Sequence, residues 1–353
     1  MATSAPTRRC LGAEWTPRYT ERLLFHSCHQ FLFPMKKLFV LGALLLAVLP
    51  GRACDQCGCG LLLGVQPYDH ANNFGFQWRM RYLHGDIMPL ATAPIKVLKH
   101  AGHSDAPADV PASYTEVYAV LEARGQFWLG QRMSLTASIP LLNNFQAVDG
   151  IRHADIYAVG DPMLLARYAV LASTSGPDTT RLRHRLTVGL GVKLPLGRTD
   201  VEQFGRELPH DLQPGTGTWD GMLTLEYTVR GGAWGTSLGL MGRYNGEMEG
   251  GYRMGHNATF TSEVFRIIPI KSVSLLPSAG VYFESTMQDE MDGVADPSTG
   301  ENTLFSHLGA RLWWHNIGVS FIWQHALVND IGALMIPNRE RFTAGIIYSF
   351  ERD

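Results

Sequence analysis

From residue 73 to residue 350, apolar and polar side chains alternate in short runs, each followed by a connection. A period of two marks a strand whose two faces meet different surroundings. In the first run Phe74, Phe76, Trp78, Met80 and Tyr82 share one face, with Gln77, Arg79 and Arg81 on the other. In the second, Val117, Ala119, Leu121 and Ala123 oppose Glu116, Tyr118, Glu122 and Arg124; in the third, Met133, Leu135, Ala137, Ile139 and Leu141 oppose Ser134, Thr136 and Ser138. Later runs set apolar rows against Arg167, against Arg185 and Lys193, against Asp220, Glu226 and Arg230, and against Arg243. The alternation is less clean over 258–268, where Glu263 sits on the polar face, and mixed over 273–285. It returns with Arg311 and then Arg341 on the polar faces of later runs.

A soluble sandwich alternates too, so the connections decide. Those at 84–113, 143–156, 196–215, 245–257, 286–302 and 326–338 are long, whereas those at 129–132, 231–233, 269–272 and 315–316 are short and 174–180 is intermediate. Long and short connections taking turns are the mark of an outer-membrane barrel, with an even strand count and both chain ends on the short-turn side. Within lipid every backbone donor and acceptor must be paired inside the protein, so a spanning sheet has to close. Repeated Arg, Lys and Glu on the second face would be costly in a dry core but are tolerated in a wet or ion-paired lumen. The pattern therefore predicts an all-β chain, a transmembrane antiparallel up-and-down β-barrel of about 12 strands. Trp128, Trp219, Trp234, Trp314 and Tyr348 lie near run ends, as interfacial girdles require. The last run ends on the aromatic Phe350, similar to the terminal signature read by barrel-assembly machinery, with Glu351-Arg352-Asp353 after it.

The 353 residues carry 30 basic and 32 acidic side chains, a balance that points away from nucleic acid. The expected partners are outer-membrane lipid, the assembly machinery and a small solute. Met35-Lys36-Lys37, the apolar run 38–49 and Pro50-Gly51-Arg52-Ala53 make a secretory signal peptide. The run is shorter than the roughly 20 residues of a membrane-spanning helix. The chain accordingly divides into an upstream extension at 1–34, a signal peptide at 35–53 cut after Ala53, a Cys-rich periplasmic segment at 54–72 and the barrel at 73–350. Location in a Gram-negative outer membrane follows.

Gly160-Asp161-Pro162 opens one run and Gly191-Val192-Lys193-Leu194-Pro195-Leu196-Gly197 ends the next. These short motifs resemble a family of outer-membrane barrel proteins labelled as transporters or as members of a phenol-degradation pathway. The resemblance covers most of the barrel and implies fold and location rather than substrate. Cys54-Asp55-Gln56-Cys57-Gly58-Cys59-Gly60 is similar to the mature N-termini of some Bacteroidetes barrel proteins.

Cys54, Cys57 and Cys59 are the strongest local oddity. In an oxidising periplasm their ordinary fate is a disulfide. Thiolates also bind soft ions such as Cu(I) or Zn(II), the one cofactor the sequence suggests. Acylation of Cys54 is a third reading, disfavoured by Gly51 where an aliphatic residue is usual. No His follows the Cys-x-x-Cys pair, so haem attachment is unsupported. His84, Asp86, His100, His103 and Asp105 in the first long connection fit no strict metal spacing and read as solvated loop residues, and Asp289-Glu290-Met291-Asp292-Gly293 fails the calcium-loop spacing and reads as an exposed acidic loop. The polar faces carry Arg79, Arg81, Arg124, Arg167, Arg185, Lys193, Arg230, Arg243, Arg311 and Arg341 against Glu116, Glu122, Asp220, Glu226 and Glu263. This excess of bases favours anions if the lumen conducts; the equal rival is an ion-paired filling of a narrow barrel. The leading expectation is a passive channel or transporter for small solutes. A metal-handling barrel is the alternative. A lipid hydrolase is the third, its residue types supplied by His256 with Ser262 or Ser306 with His307.

Overall fold

A computed structural model describes residues 71–87, 111–173, 182–333 and 335–350. Twelve long strands are described: β1 (Asn72–Ile87), β2 (Ala112–Trp128), β3 (Met133–Val148), β4 (Met163–Ala172), β5 (Arg183–Lys193) and β6 (Asp220–Gly231). β7 (Trp234–Tyr244), β8 (Asn257–Arg266), β9 (Val273–Thr286), β10 (Glu301–Trp314), β11 (Ile317–Ile331) and β12 (Asn338–Phe350) complete the set. Each pairs antiparallel with its neighbour in sequence, and β1 pairs with β12 from Asn72↔Phe350 to Leu83↔Asn338, which closes the ring. Closure leaves no free sheet edge, the condition for crossing lipid with strands.

One end of the barrel carries the short connections and is called the turn end. Gly232, Lys271 and His315 have positive φ there, as the tight two-residue hairpins demand. The loop end carries the long connections. The outward rows are apolar and exposed, with Phe74, Phe76, Leu141, Leu190, Leu223, Phe321 and Ile346 all facing away from the axis. The inward rows bury Gln77, Arg81, Glu122, Thr136, Lys193, Asp220, His307 and Thr343.

Three expectations need correction. Residues 143–156 are strand rather than loop: β3 runs to Val148 and turns through Asp149-Gly150 into a strand at Ile151–Val159 that pairs back on it. Asp149 and Gly150 both have positive φ, and Asp-Gly between alternating residues is a strong hairpin signal. Second, β1 reaches Ile87 and β11 reaches Ile331, so strands project beyond the expected boundaries. Third, Trp128 is buried on the inward face, with the Arg185 guanidinium over its ring at 5.3 Å; it belongs to no outer girdle. Trp219, Trp234, Trp314 and Tyr348 are exposed.

The lumen is partly filled by apolar side chains at both ends. At the loop end Leu208 and Leu212, from the connection at 194–219, pack on Leu83, Tyr114, Tyr118, Val148, Ile156 and Ile336. Gln213 staples this connection by accepting from Val201 N and donating to the carbonyls of Val201 and Leu208. At the turn end Phe265, Leu276 and Trp313 form a second cluster. Gly235 is required there, because a Cβ would enter the Phe265 ring.

Candidate functional site

Between the two apolar clusters lies a chamber of about 120 Å³. Val120, Pro140, Leu142, Met163 and Pro214 give it an apolar wall, and Arg79, Arg81, Lys193, Arg243 and Arg341 give it a cationic one. The apolar wall comes from strands whose inward rows turn apolar for a step or two, such as β3 at Pro140 and Leu142, between Ser138 and Asn144.

The charged side chains form separate networks. Near the loop end, Arg81 pairs with Glu301 at 2.7 Å and Glu284 at 3.6 Å, and Arg341 pairs with Glu284 at 2.5 Å. Asn338 hydrogen-bonds Arg81 and donates to Glu301, while Arg341 lies over the Phe305 ring at 4.8 Å and the Tyr282 ring at 5.2 Å. Two cations meet two carboxylates. A second network joins Lys193 to Asp220 at 2.6 Å and Asp161 at 3.1 Å, with Arg243 3.8 Å from Asp220. Towards the turn end Glu263 accepts both bonds of Arg311 and lies 3.5 Å from His307.

The fourth network is different. Arg79 donates to Glu122 at 2.8 Å, Arg167 donates to Glu226 at 3.0 Å, and Arg124 comes only within 3.9 Å of Glu122. Gly189 makes room for this group, since a Cβ there would lie 2.9 Å from Arg167 Cγ. Glu116 sits apart, accepting from Tyr118 at 2.8 Å and Gln146 at 2.6 Å, with Asp211 sharing the same tyrosine hydroxyl. Arg185 rests on Trp128, and Arg230 donates to the Gly232 carbonyl beside a turn.

Sequence reasoning missed Glu284, Glu301, Asp161 and Asp211, all buried acids. Glu301 fell in an expected connection and Glu284 in the mixed run, yet both lie on strands. The expected surplus of bases is correspondingly smaller. Among the described residues most of the lumen's charges are ion-paired, and around Arg124 three guanidinium groups share two carboxylates.

The two quoted motifs meet in space. Asp161 pairs with Lys193 and accepts from the backbone N–H of Gly197 at 2.8 Å and of Thr216 at 2.9 Å, and Leu194 N donates to the Pro162 carbonyl. They anchor both roots of the 194–219 connection. Asp289 plays a similar part nearby, accepting from Gly255 N and the Tyr252 hydroxyl, while Glu290 pairs with Arg253. Asp289 is therefore a buried structural hub rather than part of an exposed acidic loop.

Neither candidate hydrolase pair comes together. Ser306 and His307 are adjacent on β10 and point to opposite faces, the serine bonding the His325 carbonyl and the histidine facing Glu263 and Gln324. His256 stacks on Tyr244 at the loop end, whereas Ser262 lies six residues along β8. His84 and Asp86 belong to β1, and His84 meets Thr115 at 3.0 Å. Cys54, Cys57, Cys59, His100, His103 and Asp105 lie outside the described residues. Among the described residues no group of three or more His, Cys, Asp or Glu side chains is placed to hold a metal ion.

No family model matches this sequence, and no curated protein matches it. Solved structures do. An outer membrane channel from Pseudomonas putida F1 aligns with a TM-score of 0.54 at 15% identity, over 81% of this chain and 100% of that one. The β domain of the Bordetella autotransporter BrkA aligns at 0.44 and 12% identity, over 80% of this chain and 100% of its own. The translocator domain of the Neisseria meningitidis autotransporter NalP aligns at 0.37 and 11% identity, over 90% and 97%. The first of these carries the fold: a closed twelve-stranded antiparallel barrel of the outer-membrane kind.

Proposed function

We propose that the protein spans the outer membrane of a Gram-negative cell, turn end towards the periplasm, and passes small solutes by passive diffusion. The observation that carries this reading is the chamber: a small cavity with one apolar and one cationic wall, inside a barrel whose outer rows are apolar. Apolar outward rows and polar inward rows are what a lipid-spanning barrel needs. A cavity of about 150 Å³ holds a benzene ring, so this chamber suits solutes on the scale of one ring. The 194–219 connection packs over the loop end, so conduction requires it to move. A surplus of cations on the lumen wall would favour anions in transit. Barrel-assembly machinery, outer-membrane lipid and a small solute are the partners this reading needs.

Refolded protein in planar bilayers should give small currents with a reversal potential favouring anions. Silent bilayers together with no solute entry into proteoliposomes would remove the proposal. A second reading, periplasmic capture of a soft metal, rests on Cys54, Cys57 and Cys59. It requires copper binding to the full chain to disappear in the Cys57→Ser/Cys59→Ser variant; equal binding by both proteins eliminates it.

A further inference from the structure

Arg124 stands apart from the other inward-facing cations. Its side chain is 9% exposed, and its one close charge contact is Glu122 Oε1 at 3.9 Å, beyond hydrogen-bond reach. The other oxygen of Glu122 already accepts from Arg79 at 2.8 Å. Arg79, Arg167 and Glu226 are the other charged groups that act most strongly on Arg124. Three guanidinium groups therefore share two carboxylates, Glu122 and Glu226, leaving one positive charge in excess. The hydrogen-bond inventory shows the same shortfall. Arg79 Nε and Arg167 Nε are buried without an acceptor, against one unused acceptor, Glu122 Oε1, and each buried donor left unmade costs about 1–3 kcal/mol. A planar oxyanion between the three guanidinium groups would supply acceptors and cancel the excess charge, and carboxylates match the guanidinium fork geometrically.

The surroundings say what the rest of such an anion would be. In the pairing of β2 with β3, Arg124 is level with Ser138, Glu122 with Pro140 and Val120 with Leu142. Passing from Arg124 towards the loop end, the wall thus changes from cationic to apolar within two steps of the ladder. Val120, Pro140, Leu142 and Met163 all line the chamber, and Arg79 joins that chamber to the Arg124 group. A ligand seated here would hold its apolar body against these side chains, with its charged group pointing to the turn end.

We propose that this is a binding site for small carboxylates with an apolar body, such as single-ring aromatic or branched aliphatic acids. The proposal deepens the channel reading by naming the solute class, and it rests on that reading for its role in transport. The class differs from a neutral hydrocarbon, which would leave the excess charge uncompensated, and from inorganic anions, which would leave the apolar wall unused.

Calorimetric titration of the folded full chain in uncharged detergent at low salt tests it, with benzoate, benzyl alcohol and acetate as probes. Benzoate should bind saturably, and both benzyl alcohol and acetate at least about tenfold more weakly, the loss expected on removing one charge-assisted contact or one apolar body. Arg124→Gln should weaken benzoate by about tenfold or more, with Arg124→Lys between the two and Arg230→Gln, beside the turn, without effect. Unchanged benzoate affinity in folded Arg124→Gln, or equal binding of benzyl alcohol, overturns the site. Bilayer currents are recorded on the same preparations. Benzoate binding with no current and no solute entry into proteoliposomes keeps the site and discards the channel. Current that benzoate neither blocks nor alters, with no binding, keeps the channel and discards the site.

Discussion

Arg341 and Arg124 are both buried arginines on inward rows of the same barrel, but they are held very differently. Arg341 is 2.5 Å from Glu284, lies over two aromatic rings, and belongs to a network in which Arg81, Asn338 and Glu301 complete the charge and hydrogen-bond balance. Arg124 has one carboxylate at 3.9 Å, which another arginine already holds. Desolvating a charge is tolerated when the partner geometry and the remaining hydrogen bonds are good. The first arginine meets that condition and the second does not. In a narrow lumen, satisfied networks fill and stiffen the wall, whereas an unsatisfied one marks a position that solvent or solute has to complete.

The widest test of this contrast is removal of Arg341. Arg341→Gln leaves Glu284 with Arg81 at 3.6 Å as its remaining cation. The expected loss is about 3–5 kcal/mol, the cost of breaking a buried pair from one side. Urea unfolding in micelles, followed by the shift between folded and unfolded forms on gels, measures it. A loss near zero would mean that this half of the lumen is as wet as the other. Phe265→Ala comes next. It removes the ring at the centre of the turn-end cluster and should cost about 3 kcal/mol. On the proposed channel reading it should also raise single-channel current, because this cluster fills part of the turn end. Loss of stability without any change in current would show that the path does not pass this cluster.

Much of this contrast was not legible from sequence. The outward rows were, because lipid accepts only apolar side chains and so imposes a strict period of two on every strand. The inward rows follow no such rule. They mix Val120 and Leu142 with Arg124 and Asn144 as the contents of the lumen require. Long connections carry still less signal: nothing in the spacing of Leu208 and Leu212 indicated that they pack into the barrel mouth. Glu301 was assigned to a connection because β10 continues past the apolar run that defined it. The Asp149-Gly150 turn could have been found, since its dipeptide signal stands between two alternating segments. Asp161 was quoted for its motif, but its pairing with Lys193 and its grip on Gly197 and Thr216 arise only when distant segments meet.

Arg124→Gln completes the comparison with Arg341→Gln. It removes a cation that has no hydrogen bond to lose, so unfolding stability should change by no more than about 0.5 kcal/mol. The pair of values is the informative quantity. Equal, large losses at both positions would place an undetected partner on Arg124 and remove the excess charge around it.

The smallest effect concerns the loop end, where His256 stacks on Tyr244 with ring centroids 4.0 Å apart and its Nδ1 accepts from the Asn245 backbone N–H at 3.1 Å. Partial burial, then the nearby Arg253 guanidinium, hold this imidazole below its ordinary value of 6.5, with Glu290 and Asp220 opposing. The unfolded chain therefore takes up a proton first as pH falls, so the loop arrangement is favoured above 6.5 and loses ground below it. Protonated Nδ1 also cannot accept the Asn245 bond. Amide exchange at Asn245 should quicken between pH 7 and pH 5 while the strand amides of β7 and β8 stay protected. His256→Gln should abolish that pH dependence. Exchange that rises equally along β7 would place the weakness in the wall of the barrel, and the distinction between a compliant loop end and a fixed ion-paired lumen would then fail.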